Sequence, residues 1–183
     1  MQLEPFVLQE KTLGALLDET IARYPDTDAV VQYERPVRQT WKEFGQCVDR
    51  LAKGLMALGI AKGDKIAIWA TNVPHWVTLM FASARIGAIL ITVNTSYKAG
   101  ELEYLLRQSD CENLFMPDAY RDHNFIDILC SVIPEAASQP TTDLTIEKLP
   151  HLKRIFLMGN KGQRGLGCIE DVFALADTVT DEA

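Results

Sequence analysis

The chain has 183 residues, of which 48% are hydrophobic and 23% are charged. These proportions are typical of a folded globular domain and exclude a disordered or fibrous protein. The formal charge is -7, from 18 basic and 25 acidic side chains. A protein that binds nucleic acid without sequence preference needs a basic excess, so we expect no nucleic-acid partner.

The cysteines and the first residues bear on the compartment. The four cysteines form no CxxC pair and do not cluster with the histidines: Cys47, Cys111, Cys130 and Cys168. Reduced, mostly buried thiols are therefore favoured over a disulfide framework or a metal site, and we predict no metal ligands. Residues 1–11 lack the basic and apolar regions of a secretory signal, so we expect a cytoplasmic protein.

The most apolar stretch, residues 66–93, does not read as a transmembrane segment. Asn72, His75 and Arg85 interrupt it, and Pro74 would break a spanning helix. One arginine near the centre of such a helix costs about 2.5–3.5 kcal/mol on insertion scales. We therefore expect no transmembrane segment.

The first half of the chain alternates helical and strand patterns. Thr12 is placed to cap a helix that ends near Pro25, and residues 28–33 read as a short buried strand. Thr40 and Glu43 form a capping box before a helix that ends at Gly59. The remaining predictions in this half are a strand at 65–70, a helix from Pro74 to Gly87 and a strand at 88–93.

The second half continues the alternation. A helix starts at Gly100 and Glu101, and Glu101 is placed to interact with the positive end of the helix dipole. The further predictions are a strand at 112–116, a helix at 120–133, a connection at 135–153, a strand at 154–158, a glycine-rich loop at 159–167 and a helix at 169–179.

These elements predict an α/β fold. The runs at 65–70 and 88–93 are continuously apolar, as strands covered on both faces are. Helices between successive strands make right-handed crossovers and therefore a mostly parallel sheet. The predicted architecture is a doubly wound sheet with helices on both faces.

The residues alone reveal no complete active site. The loop at 159–167 has neither the GxxxxGK[ST] spacing of a phosphate loop nor the GxGxxG of a dinucleotide site, so an ordinary loop is favoured. No GxSxG nucleophile motif occurs, and Glu101 and Glu103 face opposite sides of their helix. We therefore predict no catalytic residue in this chain.

Five short motifs between residues 40 and 115 carry a family resemblance. They are LxxGLxxLGIxKGD at 51–64, NxPxW at 72–76, RIGA at 85–88, VNxxY at 93–97 and ELxYxL at 101–106. In this order and spacing they resemble the N-terminal region of the AMP-forming acyl-CoA synthetases, the acyl-adenylate-forming superfamily. The likeness is greatest to the medium- and long-chain fatty acid ligases, and it extends more weakly from about Thr12 to the end.

The resemblance implies a two-step reaction for the parent enzyme. A fatty acid carboxylate attacks the α-phosphate of ATP to give acyl-AMP and pyrophosphate, and the CoA thiol then displaces AMP; Mg²⁺ is the expected metal cofactor. The family's phosphate loop, [ST]-[SG]-G-[ST]-[TG]-x-P-K, and its C-terminal domain are not found in the 183 residues. We therefore expect the isolated chain to be inactive and to bind none of these cofactors tightly.

The resemblance also divides the chain and implies a binding region. Residues 1–183 correspond to the N-terminal part of the AMP-binding domain: a main α/β unit at 1–134, a loop at 135–153, and a strand, glycine-rich loop and helix at 154–183. It places Asn94, Thr95 and Ser96 near the CoA entrance, and Arg121 against the CoA 3′-phosphate. The alternative, that these residues only cap and shape turns, stays open.

Two other functions remain as alternatives. One is a free-standing binding or interaction module that keeps the scaffold without catalysis, and the other is a flavodoxin-like nucleotide binder, which would lack its phosphate-binding loop. We also expect self-association if apolar surface is left uncovered.

Overall fold

The computed structural model describes residues 10–33, 36–137, 144–159, 162 and 166–180. The α-helices within these ranges are α1 (Leu13–Arg23), α2 (Trp41–Ala57), α3 (Pro74–Arg85), α4 (Ala99–Gln108), α5 (Phe125–Val132) and α6 (Ile169–Ala174). The strands are β1 (Asp28–Gln32), β2 (Val37–Thr40), β3 (Lys65–Ile68), β4 (Ile89–Thr92), β5 (Asn113–Met116), β6 (Ala119–Tyr120), β7 (His123–Asn124), β8 (Arg154–Leu157) and β9 (Gly167–Cys168). Short 3₁₀ helices cover Pro134–Ala137 and Leu175–Thr178.

Five strands form one parallel sheet in the order β4-β3-β5-β8-β9. Ile66 of β3 lies between Leu90 of β4 and Asn113 of β5 in the register. The chain thus enters the main sheet at β3 and adds β4 on one side of it. It then crosses to the other side of β3, where β5, β8 and β9 follow in that order. This is the predicted doubly wound α/β fold, which is confirmed.

Helices cover both faces of the sheet. Ile66 and Ile68 point to the face where the buried side chains of α1, α2, α3 and α6 pack. Ala67 and Trp69 point to the opposite face, which α4 and α5 cover. The alternation follows from the two-residue period of a strand, and it explains why the β3 sequence is apolar throughout.

Local signals fix the predicted helix ends. The Thr40 backbone N–H donates to Glu43 Oε2 at 2.8 Å, and the Glu43 N–H donates to Thr40 Oγ1 at 3.3 Å, so the capping box is confirmed. Thr12 accepts from the Ala15 N–H at 3.1 Å and starts α1 in the same way. Past the end of α2, Gly59 adopts a φ of 78°, which favours glycine.

The strand predicted at 28–33 is present as β1, but the prediction that it is buried is wrong. Strand β1 lies outside the main sheet and pairs antiparallel with β2, a strand that the sequence pattern did not predict. Val31 is 54% exposed and the Tyr33 side chain is fully exposed. One face of the β1–β2 hairpin packs on α2, and the other face is exposed to solvent. The apolar run in β1 therefore does not indicate a strand that is buried on both faces.

The predicted helix at 120–133 is too long. Residues 119–124 form the β6–β7 hairpin, and α5 begins only at Phe125. Arg121 at the turn has a φ of 52°, a left-handed conformation that a helix cannot contain. Asn124 caps α5 by accepting from the Asp127 N–H at 3.1 Å.

The connection before β8 contributes to the core. Residues 138–143 lie outside the described part, but the segment after them is held by the Leu144 N–H, which donates to the Lys153 carbonyl at 2.9 Å. Leu144, Ile146 and Leu149 are buried beneath α4 and α5. Most of the glycine-rich loop, 160–161 and 163–165, also lies outside the described residues.

No helix in the described part of the chain is long and apolar enough to cross a lipid bilayer. Cys111 and Cys168 are buried, Cys47 and Cys130 are half-buried, and all four thiols are free.

Candidate functional site

A cavity of about 650 Å³ opens at the carboxyl edge of the parallel sheet. Its wall is built from residues 70–73 after β3, Thr95 after β4, Tyr120 after β5, and residues 31–33 of the β1 hairpin. In doubly wound sheets, ligands bind outside the carboxyl ends of the strands, where successive connections leave toward opposite faces. That point lies between β3 and β5 here, so the cavity occupies the position where this fold binds ligands.

The loops after β3 and β4 are fastened to each other. The Trp69 indole Nε1 donates to the Asn94 carbonyl oxygen at 3.1 Å. The Val93 N–H donates to the Ile68 carbonyl at 2.9 Å, and the Trp69 N–H donates to the Phe115 carbonyl at 2.9 Å. These bonds continue the sheet ladder past the strand ends and hold the rim of the cavity in place.

Asn94 and Ser96 shape the turn that carries Thr95. Asn94 Oδ1 accepts from both the N–H and the hydroxyl of Ser96, each at 2.9 Å. The Tyr97 N–H donates to the Asn94 carbonyl at 3.1 Å. Of the three residues predicted near the CoA entrance, Thr95 lies in the cavity wall, whereas Asn94 and Ser96 are exposed and are engaged with each other.

Arg121 lies beside the cavity wall. It follows Tyr120, which lines the cavity, and its guanidinium carbon lies 5.2 Å from the centre of the Tyr120 ring. This is within the range of a cation–π contact. The side chain is exposed, so its donors are open to an anion at the mouth of the cavity.

The sequence patterns missed other wall residues. Thr71 and Asn72 could have been found, because polar residues that follow a predicted parallel strand lie at its carboxyl edge. Gln32 could not, because it reaches the cavity only through the β1–β2 hairpin. Its buried Oε1 has no hydrogen-bond partner within the described residues.

The cavity is suited to binding rather than to acid–base chemistry. Its wall is polar and carries no formal charge. Over the described residues, no group of three or more His, Cys, Asp or Glu side chains is placed to hold a metal ion. The arrangement offers neutral donors and acceptors, two tyrosine rings and a neighbouring guanidinium.

Comparison with known proteins identifies relatives over most of the chain. Residues 17–164 match the AMP-binding enzyme family. The chain is 46% identical over 174 residues to the YngI protein of Bacillus subtilis (strain 168), which carries an acyl-CoA synthetase name. It is 32% identical over 165 residues to the mitochondrial medium-chain acyl-CoA ligase ACSF2 of Danio rerio. These matches cover 95% and 90% of the chain.

The fold has relatives among solved structures. The anthranilate CoA ligase AuaEII, solved in complex with anthranoyl-AMP, superposes with a TM-score of 0.73 over 90% of this chain and 28% of its own length. At 21% sequence identity, that likeness bears on the fold alone.

The chain is shorter than these relatives. It spans 32% of the length of the Bacillus subtilis protein and 27% of the Danio rerio ligase. The match over residues 17–164 nevertheless includes every strand of the main sheet up to β8 and the loops that form the cavity. The resemblance predicted from the motifs is confirmed, and the chain belongs to the AMP-binding enzyme family.

Proposed function

We propose that the chain forms the N-terminal part of the adenylate-forming region of a fatty acyl-CoA synthetase. The observation that carries the proposal is the family match over residues 17–164, together with acyl-CoA ligase names among relatives at 46% and 32% identity. The chemistry proposed is that of an acid–thiol ligase that forms AMP, with a medium- or long-chain fatty acid as substrate.

Both steps of the proposed reaction are substitutions that conserve atoms and charge. The fatty acid carboxylate attacks the α-phosphorus of ATP, and pyrophosphate leaves as acyl-AMP forms. The CoA thiol, losing its proton, then attacks the acyl carbon, and AMP leaves as the thioester forms. The wall of the carboxyl-edge cavity carries no formal charge, so we assign its residues to binding and positioning.

We place part of CoA at the carboxyl-edge cavity. Thr95 lies in the cavity wall, and Asn94 and Ser96 hold the turn that presents it. The exposed guanidinium of Arg121 lies beside the wall and is suited to the 3′-phosphate of CoA, because arginine binds phosphate through paired, charge-assisted hydrogen bonds.

Mg²⁺ is not assigned to any residue here. The acidic groups needed to hold a metal are not found together in the described ranges, so these residues do not fit a magnesium site. We attribute any magnesium requirement to other parts of the proposed enzyme.

The adenylation step is tested by exchange between ATP and labelled pyrophosphate in the presence of octanoate or palmitate. We expect exchange from a longer protein that contains these residues and none from the 183-residue chain alone. Exchange by the isolated chain would overturn its assignment as a non-catalytic part. A gene that ends directly after Ala183 would instead favour the free-standing binding module.

The CoA assignment is tested with dephospho-CoA, which lacks the 3′-phosphate. In the longer protein, Arg121→Ala should raise the KM for CoA about tenfold, equivalent to about 1.4 kcal/mol, and leave the KM for dephospho-CoA unchanged. Arg107→Ala removes an exposed arginine from α4 and is the matched control. Equal losses with both thiols would remove Arg121 from the 3′-phosphate site.

We also propose a cytoplasmic location. The four free thiols support a reducing compartment, although the ACSF2 relative is named mitochondrial. Cell fractionation with a tagged protein distinguishes the two.

A further inference from the structure

Strand β4 is an edge of the main sheet with free backbone groups. The Ile89 N–H donates to the Asp64 carbonyl at 2.8 Å, and the Val93 N–H donates to the Ile68 carbonyl at 2.9 Å, so odd-numbered residues of this segment bond toward β3. The two-residue period turns the N–H and C=O groups of Leu90 and Thr92 the other way. In the part of the chain that the structure describes, no strand pairs with that side of β4.

The β4 edge lacks two of the features that keep sheet edges apart, namely charged residues and proline. Proteins protect exposed edges with charged residues, proline, bulges or very short strands. Residues 89–92 read ILIT and contain neither a charge nor a proline. The opposite edge, β9, is only two residues long. Of the two edges, β4 is therefore the one that can accept another strand.

An apolar groove of about 530 Å³ runs beside this edge, between β4 and α4. Ile91, Tyr97, Tyr104 and Leu105 line it. The one charged side chain in its wall, Glu101, accepts a hydrogen bond from the Lys98 N–H at 2.8 Å, so covering the groove would not strip that carboxylate of its partners.

Two large apolar side chains stand exposed at the same place. Ile89 is 50% exposed and Tyr104 is 61% exposed. The groove is open along one side, whereas small-ligand sites bury about 70–90% of the ligand surface. A second protein surface covers an open groove and a free strand edge together, which a small apolar molecule does not do.

We propose that a second copy of this chain pairs its β4 antiparallel with the first, which joins the two parallel sheets into one. The outward N–H and C=O groups of Leu90 and Thr92 set the register. Leu90 of each copy pairs with Thr92 of the other, and Ile91 lies opposite Ile91 of the other copy on the two-fold axis. Ile91 thus occupies a close, non-hydrogen-bonded pair, and both exposed Ile89 side chains are covered.

The neighbouring helices are complementary in this arrangement. A two-fold axis perpendicular to the sheet keeps both copies of α4 on the same face and runs them antiparallel. Glu101 and Gln108 lie at opposite ends of the groove face of α4, so each Glu101 carboxylate meets a Gln108 amide of the other copy. An amide donor opposite a carboxylate is a favourable contact, and no like charges oppose each other along this face.

The first test is sedimentation velocity of the 183-residue chain over a range of concentrations. We expect a reversible monomer–dimer equilibrium. Ile89→Lys should raise its dissociation constant at least tenfold, because it places a positive charge from each copy at the proposed seam, the line where the two β4 strands pair. Val31→Lys is the matched control, since Val31 is 54% exposed on β1, away from the proposed seam, and its substitution should leave the equilibrium unchanged.

The second test is hydrogen exchange at concentrations below and above the dimerisation midpoint. The amides of Leu90 and Thr92 should become protected only at the higher concentration, while those of Ile89 and Ile91 are protected at both. A chain that stays monomeric at high concentration would overturn the proposal. So would a dimer that Val31→Lys weakens and Ile89→Lys does not, because that dimer would use another surface. Neither measurement needs a substrate, so the outcome is independent of the proposed function.

Discussion

The indole Nε1 of Trp69 donates a hydrogen bond to the backbone carbonyl oxygen of Asn94, with the two atoms 3.1 Å apart. Trp69 is fully buried, and its ring meets the Phe125 ring edge-on with the centroids 4.6 Å apart. One side chain thus joins the ends of β3 and β4 to the start of α5. The position of Thr95 in the cavity wall depends on this contact, because Asn94 begins the turn that carries it.

Trp69→Phe tests that dependence. Phenylalanine keeps an aromatic ring in the core but removes the indole donor and part of the volume. We expect the free energy of unfolding to fall by about 1–3 kcal/mol, from one lost hydrogen bond and the smaller ring. Amide exchange at residues 95–97 should also accelerate, because the turn loses its anchor.

The control for this substitution is Trp41→Phe, which changes a half-buried indole at the start of α2, away from the turn. We expect no change in amide exchange at residues 95–97. Equal exchange at these amides in the wild type and in Trp69→Phe would show that the Asn94 side-chain bonds to Ser96 hold the turn without the indole.

Local features of the fold could be predicted from the sequence. The Thr40–Glu43 capping box and the Gly59 stop act within a few residues, and the structure has both. The continuous apolar run of β3 also predicted its position inside the sheet, because such runs are typical of strands that are covered on both faces. Short-range chemistry and burial pattern were sufficient for these elements.

Features that depend on distant partners could not be predicted. The β1–β2 hairpin is stable because it packs on α2, and Gln32 reaches the cavity only as part of that hairpin. Thr95 was predicted to lie near the CoA entrance only from the motif resemblance. Its position in the cavity wall depends on the Trp69–Asn94 hydrogen bond, which no local sequence pattern reveals. Arg121 was predicted to lie in a helix, but its φ of 52° excludes it from α5, which begins at Phe125. Its contact with CoA stays a prediction.

Gly54 lies where α2 meets α6, and its substitution should destabilise the protein. A Cβ at this position would overlap the Val172 carbonyl oxygen and lie 2.8 Å from the carbonyl carbon, so backbone would have to move. We expect Gly54→Ala to lower the free energy of unfolding by about 1–3 kcal/mol, measured by urea denaturation.

Gly100→Ala provides the matched control for that prediction. It introduces the same methyl group in a helix, but no atom lies within 4 Å of the new Cβ. Alanine has the higher helix propensity, so stability should rise by up to about 1 kcal/mol. If the two variants lost stability equally, the effect would come from glycine itself and not from contact between the helices.

Cys111 should resist alkylation in the native protein. Burial raises the pKa of its thiol to about 12, and its Sγ donates to the Asn113 carbonyl at 3.1 Å. Only the thiolate reacts, and at pH 8 a group with that pKa is ionised on the order of one part in ten thousand. We expect iodoacetamide to modify the half-buried Cys130 first, as followed by peptide mass spectrometry.

Denaturation supplies the control for the alkylation experiment. In urea all four cysteines should react at similar rates, because burial is lost. Native labelling of Cys111 as fast as that of Cys130 would mean that β5 opens readily at its start, which contradicts its place in the centre of the sheet.

Glu43 should make stability depend on pH in the acidic range. Hydrogen bonds from the Thr40 N–H and hydroxyl, at 2.8 and 3.0 Å, lower the pKa of this carboxyl from its ordinary value of 4.5. A group whose pKa is lower in the folded state stabilises the fold fully above its unfolded pKa and loses that effect as pH falls through the folded value. The free energy of unfolding of Glu43→Gln should therefore be lower than that of the wild type at neutral pH and equal to it at about pH 2.

The exposed Glu10, just before α1, is the matched carboxylate for this comparison. Glu10→Gln should match the wild type at both pH values in urea denaturation. A stability difference between wild type and Glu43→Gln that persisted unchanged at low pH would show that the amide fails to replace the carboxylate for reasons of shape. The capping box would then act through geometry, and the charge of Glu43 would contribute nothing to the start of α2.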